Sequence, residues 1–67
     1  MTVLKVIELL GYSNVSWEDA AQKVVTEATR TLKNVRSVYI KDMSAKVENG
    51  KITEYRVDGK VTFEIQH

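Results

Sequence analysis

Four acidic residues in the second half of the chain carry carboxylates of the kind that bind metal ions: Asp42, Glu48, Glu54 and Asp58. Calcium is held by about six to eight oxygen atoms, several of them usually from carboxylates. These acids do not follow the spacing of an EF-hand loop, so a calcium site here would need oxygen atoms from more than one subunit. Asp42 is the metal-ligand candidate, because the strand pairing described below puts it beside Val57 on the helix-facing side, where a carboxylate needs a partner. A salt bridge to a lysine or arginine of a neighbouring subunit is the simpler explanation.

Nucleophile and base residues are not arranged as they are in enzymes. The chain has no cysteine, and its single histidine is the last residue, His67, which is expected to be frayed. Ser13 and Ser16 have no base nearby in the sequence, and Ser16 is better explained as a helix cap. The sequence shows no phosphate-binding loop or metal-ligand spacing, so it predicts a protein that is not an enzyme.

The acids belong to a long predicted hairpin, with strands over residues 35–48 and 51–65 joined at Asn49-Gly50. Polar and apolar residues alternate along the second of these strands, as they do in a half-buried strand. Asn-Gly favours a two-residue turn, because both positions must take positive φ. The expected cross-strand pairs are Glu48 with Lys51, Lys41 with Asp58, Ile40 with Gly59 and Val38 with Val61.

The two faces of this hairpin differ in character. This register predicts that one face seats a helix, on Val38, Ile40, Val57, Val61 and Phe63. The opposite face keeps Tyr39, Met43 and the stems of Lys41, Arg56 and Lys60. Aromatic, methionine and arginine side chains are enriched at the cores of protein interfaces, so this second face is predicted to meet other subunits.

The first half of the chain predicts one strand and one helix. Residues 2–12 carry apolar side chains on both faces, as in a strand covered on each side, and Gly11 to Asn14 interrupts the pattern. Residues 17–32 have helical spacing, with Ser16 as N-cap and Asp19 in the capping-box position. Trp17 is expected to plug the core, and Asn34 can take the left-handed conformation that ends a helix.

Together these elements predict a single α+β domain over residues 1–67 with the order β-α-β-β. A right-handed crossover makes the first two strands parallel, so the third fits between them in an antiparallel sheet of order 1-3-2. A chain of 67 residues without disulfides is marginally stable alone, which favours an oligomer.

Charge and hydropathy exclude two classes of partner. The net charge is only +1, and the basic residues are spread along the chain, so nucleic-acid binding is not expected. Apolar stretches are five residues or shorter, so no membrane partner is expected. The absence of cysteine suits a cytoplasmic protein.

Three segments resemble the dodecin family: SWEDA at 16–20, NVRSVYIKDMSAKVENGKI at 34–52 and EYRVDGKVTFEI at 54–65. The resemblance covers nearly the whole chain in one β-α-β-β frame. It implies a three-stranded antiparallel sheet wrapped around one helix, and a hollow homododecamer of the chain with itself. It also implies that small ligands bind at the interfaces between subunits.

The chain departs from the flavin-binding dodecins at two ligand-binding positions. The tryptophan that stacks on the flavin in those members is replaced by Ser37, and the glutamine that bonds the ring is replaced by Arg56. Serine has no π face, and arginine does not reproduce the hydrogen bonds of glutamine. Dodecins that lack the tryptophan have been associated with calcium, so the resemblance favours calcium over flavin as the ligand.

The sequence therefore predicts a non-catalytic homododecamer that binds or stores a small ligand, with Ser37 and Arg56 as candidate ligand-binding residues. One alternative is a dodecin that binds riboflavin or FMN through altered ring contacts. Another alternative is a structural or partner-binding module without a small ligand, which uses its strand edge for β-augmentation.

Overall fold

A computed structural model describes residues 2–65, so the predicted fraying of His67 lies outside the described part. The elements are β1 (Val3–Ser13), α1 (Trp17–Thr31), β2 (Val35–Glu48) and β3 (Lys51–Ile65). The strands form one antiparallel sheet in the order β1-β3-β2. The predicted α+β class, element order and strand order are confirmed.

The strand β1 continues through the glycine that was predicted to interrupt it. Its pairing with β3 runs without a shift up to Ser13, which lies opposite Tyr55. A Cβ atom at Gly11 would lie 2.6 Å from Val24 Cγ2 and 2.7 Å from the Ala20 carbonyl oxygen. Gly11 therefore marks the place where the strand and helix backbones approach closely, and not the end of the strand.

The hairpin turn is the predicted one, since Asn49 has φ 53° and Gly50 has φ 76°. Three of the four expected pairs are also confirmed: Glu48 with Lys51, Ile40 with Gly59 and Val38 with Val61. The fourth expected pair, Lys41 with Asp58, is wrong. A β-bulge leaves Lys41 without a cross-strand partner and sets Asp42 opposite Asp58.

The bulge decides the face on which the following residues lie. Because side chains alternate between faces, one extra residue moves each later side chain to the other face. Met43, predicted on the face away from the helix, lies opposite the buried Val57 on the helix-facing side. Lys41 forms its ion pair with Glu8 on β1, at 3.8 Å, and not with Asp58.

The helix begins as predicted and ends one residue early. Ser16 is extended, and its hydroxyl accepts a hydrogen bond from the Asp19 backbone N–H at 3.0 Å. The helix ends at Thr31, because Leu32 takes an extended conformation. Asn34 has φ 60°, as expected, but it turns the chain into β2 after the helix has already ended.

The helix covers one face of the sheet, and the core lies between them. Within residues 2–65 the buried apolar residues are Ala20, Val24, Ala28, Val57 and Val61. The face opposite α1, here called the outer face, has no element of the subunit packed on it, and Leu4, Val6, Leu10, Tyr12 and Tyr39 on it are each more than half exposed. The expectation that β1 is covered on both sides is therefore not met within one subunit.

Candidate functional site

Asp42 lies on the outer face of the sheet and is exposed, not on the helix-facing side as predicted. The bulge at Lys41 is the physical reason, because it shifts Asp42 from the position opposite Val57 to the position opposite Asp58. No ion pair of Asp42 is found among the described residues. Its carboxylate therefore points to solvent beside another carboxylate.

Asp58 joins a second acid on its other side. Glu8 on β1 is a diagonal neighbour of Asp58, because Glu8 pairs with Lys60 and Leu10 pairs with Asp58. A hydrogen bond to the Asp58 carboxyl, together with some desolvation and the negative charge of Asp58, raises the pKa of Glu8, and Lys41 and Lys60 oppose this shift. One oxygen of Asp58, Oδ1, is buried and has no hydrogen-bond partner within residues 2–65. This oxygen is therefore a free hydrogen-bond acceptor among the described residues, where a cation could bind.

These acids do not make a complete metal site within one subunit. No group of three or more aspartate, glutamate, histidine or cysteine side chains suited to hold a metal occurs within residues 2–65. Calcium needs more oxygen ligands than two carboxylates provide, so any site on the outer face would need ligands from another subunit.

Ser37 and Arg56 share the outer face but lie far apart. Ser37 is exposed opposite Thr62, six positions along β3 from Arg56, which corresponds to about 20 Å. One subunit therefore does not bring these two candidate residues together, and a ligand that touched both positions would have to bridge two subunits.

The surroundings of Arg56 are aromatic and acidic. Its Nε donates a hydrogen bond to Glu54 Oε1 at 3.2 Å, and its guanidinium carbon lies 5.6 Å from the centroid of the Tyr12 ring. The guanidinium group is therefore held by an ion pair and a cation–π contact within the subunit.

A cavity on the helix-facing side of the subunit was not predicted. It is open, measures about 340 Å³, and is lined by Trp17, Glu18, Ala21, Ile40 and Met43. The sequence did not reveal this cavity, because Met43 reaches it only through the bulge in β2.

Trp17 is a packing residue, in agreement with its predicted role as a core plug, although it is only half-buried. Its indole Nε1 donates a hydrogen bond to the Ser44 carbonyl oxygen at 2.9 Å. Its ring meets Tyr55 edge to face, with the centroids 4.8 Å apart. These contacts fix the start of the helix against the distal half of the hairpin.

Ser13, for which the sequence suggested no role, organises the turn before the helix. It is buried, donates a hydrogen bond to Asp19 Oδ2 at 2.5 Å, and accepts one from the Val15 backbone N–H at 2.9 Å. The bond from Ser13, aided by Lys23, lowers the pKa of Asp19. Because its partners are a capping carboxylate and a backbone N–H, Ser13 has a structural role.

None of the helical residues that the structure describes forms a segment long and apolar enough to span a membrane.

Comparisons with known proteins agree with this geometry. The sequence model of the dodecin family matches residues 3–66. Calcium dodecin of Mycobacterium tuberculosis is 36% identical over 67 residues, which cover 98% of this chain and 93% of the relative.

Two crystal structures illustrate the match in fold. A single-residue variant of the T. thermophilus dodecin has a TM-score of 0.95 at 27% identity, and all of both chains is covered. The calcium-chelating antigen calcium dodecin from Mycobacterium tuberculosis, described with a novel calcium-binding site, has a TM-score of 0.82 at 34% identity, over 96% of this chain and 91% of the other. The chain, with its β-α-β-β order and its sheet order β1-β3-β2, belongs to the dodecin family.

Proposed function

We propose that this protein is a non-catalytic dodecin that assembles into a hollow homododecamer and binds calcium at the interfaces between its subunits. The observation that carries the proposal is the uncovered outer face, which presents apolar side chains beside the carboxylates of Asp42 and Asp58. One subunit exposes 5000 Å², whereas a compact monomer of this mass would expose about 4300 Å². The excess surface supports assembly.

The choice of calcium follows from the chemistry of the outer face. Asp42 and Asp58 are cross-strand neighbours, and Asp58 Oδ1 is buried without a hydrogen-bond partner among the described residues, which would suit an oxygen that binds a cation. Carboxylates are suitable ligands for calcium, and a second subunit would supply the remaining oxygens. The relative named calcium dodecin, at 36% identity, supports the same ligand.

Flavin is the second candidate, because Arg56 and Tyr12 present a flat cation and an aromatic ring on the outer face. Flavin is less favoured, since Ser37 offers no ring to stack on. Trp17 lies on the helix-facing side, where its indole donates a hydrogen bond to the Ser44 carbonyl oxygen.

Native mass spectrometry of chelator-treated protein, with calcium or FMN added, tests the proposal. We expect a complex of about twelve times the 7.6 kDa chain mass, with added mass from calcium and none from FMN. The Asp42→Asn substitution should weaken calcium binding about tenfold or more in a titration calorimeter, because it removes a charged ligand. Glu27→Gln is the matched control, since Glu27 is an exposed acid on the helix that pairs with Arg30.

Each of the other outcomes would support a different function for this chain. A monomer or dimer would contradict the hollow homododecamer and would support a partner-binding module. An assembly that gains FMN mass and quenches flavin fluorescence would identify the flavin-binding alternative. Unchanged calcium binding by Asp42→Asn would show that Asp42 is not a ligand.

A further inference from the structure

The cavity beside the start of α1 combines an apolar wall with a single carboxylate. Trp17, Ala21, Ile40 and Met43 form the wall, and Glu18 is the one charged residue among the five that line the cavity. Its volume of about 340 Å³ lies at the lower end of the range of about 300–1,000 Å³ that is typical of small-molecule sites. A ligand of this cavity would therefore be small, such as an aromatic ring with a short chain.

The indole ring of Trp17 is held in place by the subunit itself. Its Nε1 donates a hydrogen bond to the Ser44 carbonyl oxygen at 2.9 Å, and Tyr55 packs against the ring edge to face. Because its N–H is already bonded, the ring offers a ligand an apolar π surface and no free donor. Met43, on the strand side of the cavity, is 62% exposed, and its flexible thioether can adjust to the shape of a ligand.

Charge at the rim of the cavity favours a cationic ligand. Glu18 is exposed, and no ion pair of Glu18 occurs within residues 2–65. The neighbouring Asp19, by contrast, accepts a hydrogen bond from Ser13 and pairs with Lys23 at 3.4 Å. The Glu18 carboxylate is thus the group that can pair with an ammonium ion while the apolar part of the ion lies against the wall.

An anionic ligand does not suit the cavity, although the cavity lies at the positive end of the helix dipole. Ser16 already caps the Asp19 backbone N–H at 3.0 Å, and the carboxylates of Glu18 and Asp19 in the first turn complement the dipole. An anion would meet these two negative charges and an apolar wall, where it would lose hydration without gaining a partner.

We propose that this cavity binds a small organic ammonium ion, with the ammonium group paired to Glu18 and the apolar group against Trp17 and Met43. Tryptophan is the aromatic side chain that attracts organic cations most strongly, which adds to the pairing with the carboxylate. This site goes beyond the proposed function, because it lies on the helix-facing side, away from the outer face on which calcium would bind.

Trp17 is the single tryptophan of the chain, so tryptophan fluorescence reports on the cavity. In titrations of the native protein we expect phenethylammonium to produce a saturable change in Trp17 emission. Phenylpropionate, an anion of similar size, should produce none. Equal responses to the two probes, or no saturable response to phenethylammonium, would overturn the proposal. The absence of a response is also the result expected if a neighbouring subunit fills the cavity.

Three variants locate the bound cation. Glu18→Gln should weaken phenethylammonium binding about fivefold, because it removes the charge and keeps the size of the side chain. Glu27→Gln is the matched control and should bind as the wild type does, since Glu27 pairs with Arg30 and does not line the cavity. Ala21→Leu should abolish binding, because the larger side chain fills the cavity.

Circular dichroism verifies that each variant is folded, and the exposed Glu18→Gln substitution decides the outcome if Ala21→Leu is not. Binding that Glu18→Gln leaves unchanged would overturn the proposal. The calcium titration is independent of this test, so the proposed function and this inference can fail separately.

Discussion

At the residue scale, Ser13 shows how a polar side chain can be structural without any signal of it in the sequence. Its hydroxyl is buried and links the end of β1 to the first turn of α1 through Val15 and Asp19. The same bond holds the pKa of Asp19 below its usual value, with help from Lys23. The stability of the fold should therefore depend on the charge of the Asp19 carboxylate.

Replacement of Ser13 by alanine should lower the free energy of unfolding by about 1–2 kcal/mol at neutral pH, because it removes a buried hydroxyl and leaves the Val15 N–H unpaired. The folded pKa of Asp19 is depressed, so the stability it contributes is present above the unfolded value, near pH 4. That contribution is lost as the pH falls through the folded value.

Denaturant melts of wild type and Ser13→Ala at several pH values measure this effect. The difference between the two proteins should be largest at neutral pH and should shrink below about pH 4. A difference that stays constant into acid would show that Asp19 does not take part. Thr29→Ala, which removes an exposed hydroxyl on the helix, is the control.

At the scale of elements, the distance between helix and sheet depends on glycine and small apolar residues. Gly11 and Gly59 both lie beneath α1, but they differ in what a side chain would meet. At Gly11 an added Cβ meets the Ala20 backbone carbonyl at 2.7 Å, and at Gly59 it meets side-chain carbons of Val38 and Val24 at 3.2 and 3.3 Å. Side chains can adjust their conformation to relieve such a contact, whereas backbone atoms of the helix cannot move as easily.

We therefore expect Gly11→Ala to destabilise the fold by about 2–3 kcal/mol and Gly59→Ala by less than about 1 kcal/mol. Thermal and denaturant unfolding of the two variants measures the loss of unfolding free energy at each site. The comparison is matched, since both substitutions add one methyl group. Equal losses for both variants would mean that α1 shifts freely over the sheet.

At the scale of the whole molecule, the subunit is elongated. It measures 52 × 19 × 13 Å, whereas α1 has 15 residues and is about 22 Å long. The hairpin extends beyond the helix and leaves Val47 and Ile52 exposed at its tip. Much of the apolar surface is therefore not covered by the described part of the chain itself.

The melting temperature should consequently depend on protein concentration. If folding and assembly are coupled, mass action favours the folded assembly, and the melting temperature should rise with total protein. Calorimetry over a hundredfold range of concentration measures this, with Leu10→Asp as the comparison that should melt lower. A melting temperature independent of concentration in a reversible transition would mean that the subunit is stable alone.

The sequence by itself determined the element order, the strand order, the turn at Asn49-Gly50 and the cap at Ser16. These features are local or follow from the alternation of polar and apolar residues, so the sequence is enough to predict them. The departures at Ser37 and Arg56 stay predictions, because they depend on the resemblance to the flavin-binding dodecins.

Only the tertiary structure decided which face bears Asp42 and Met43, because the bulge at Lys41 reverses the parity of the β2 residues that come directly after it. It also revealed the cavity beside Trp17 and the unpartnered oxygen of Asp58, which depend on residues distant in sequence. A bulge forms when edge contacts and side-chain pairing across the sheet favour an extra residue, and alternation along one strand does not record those contacts.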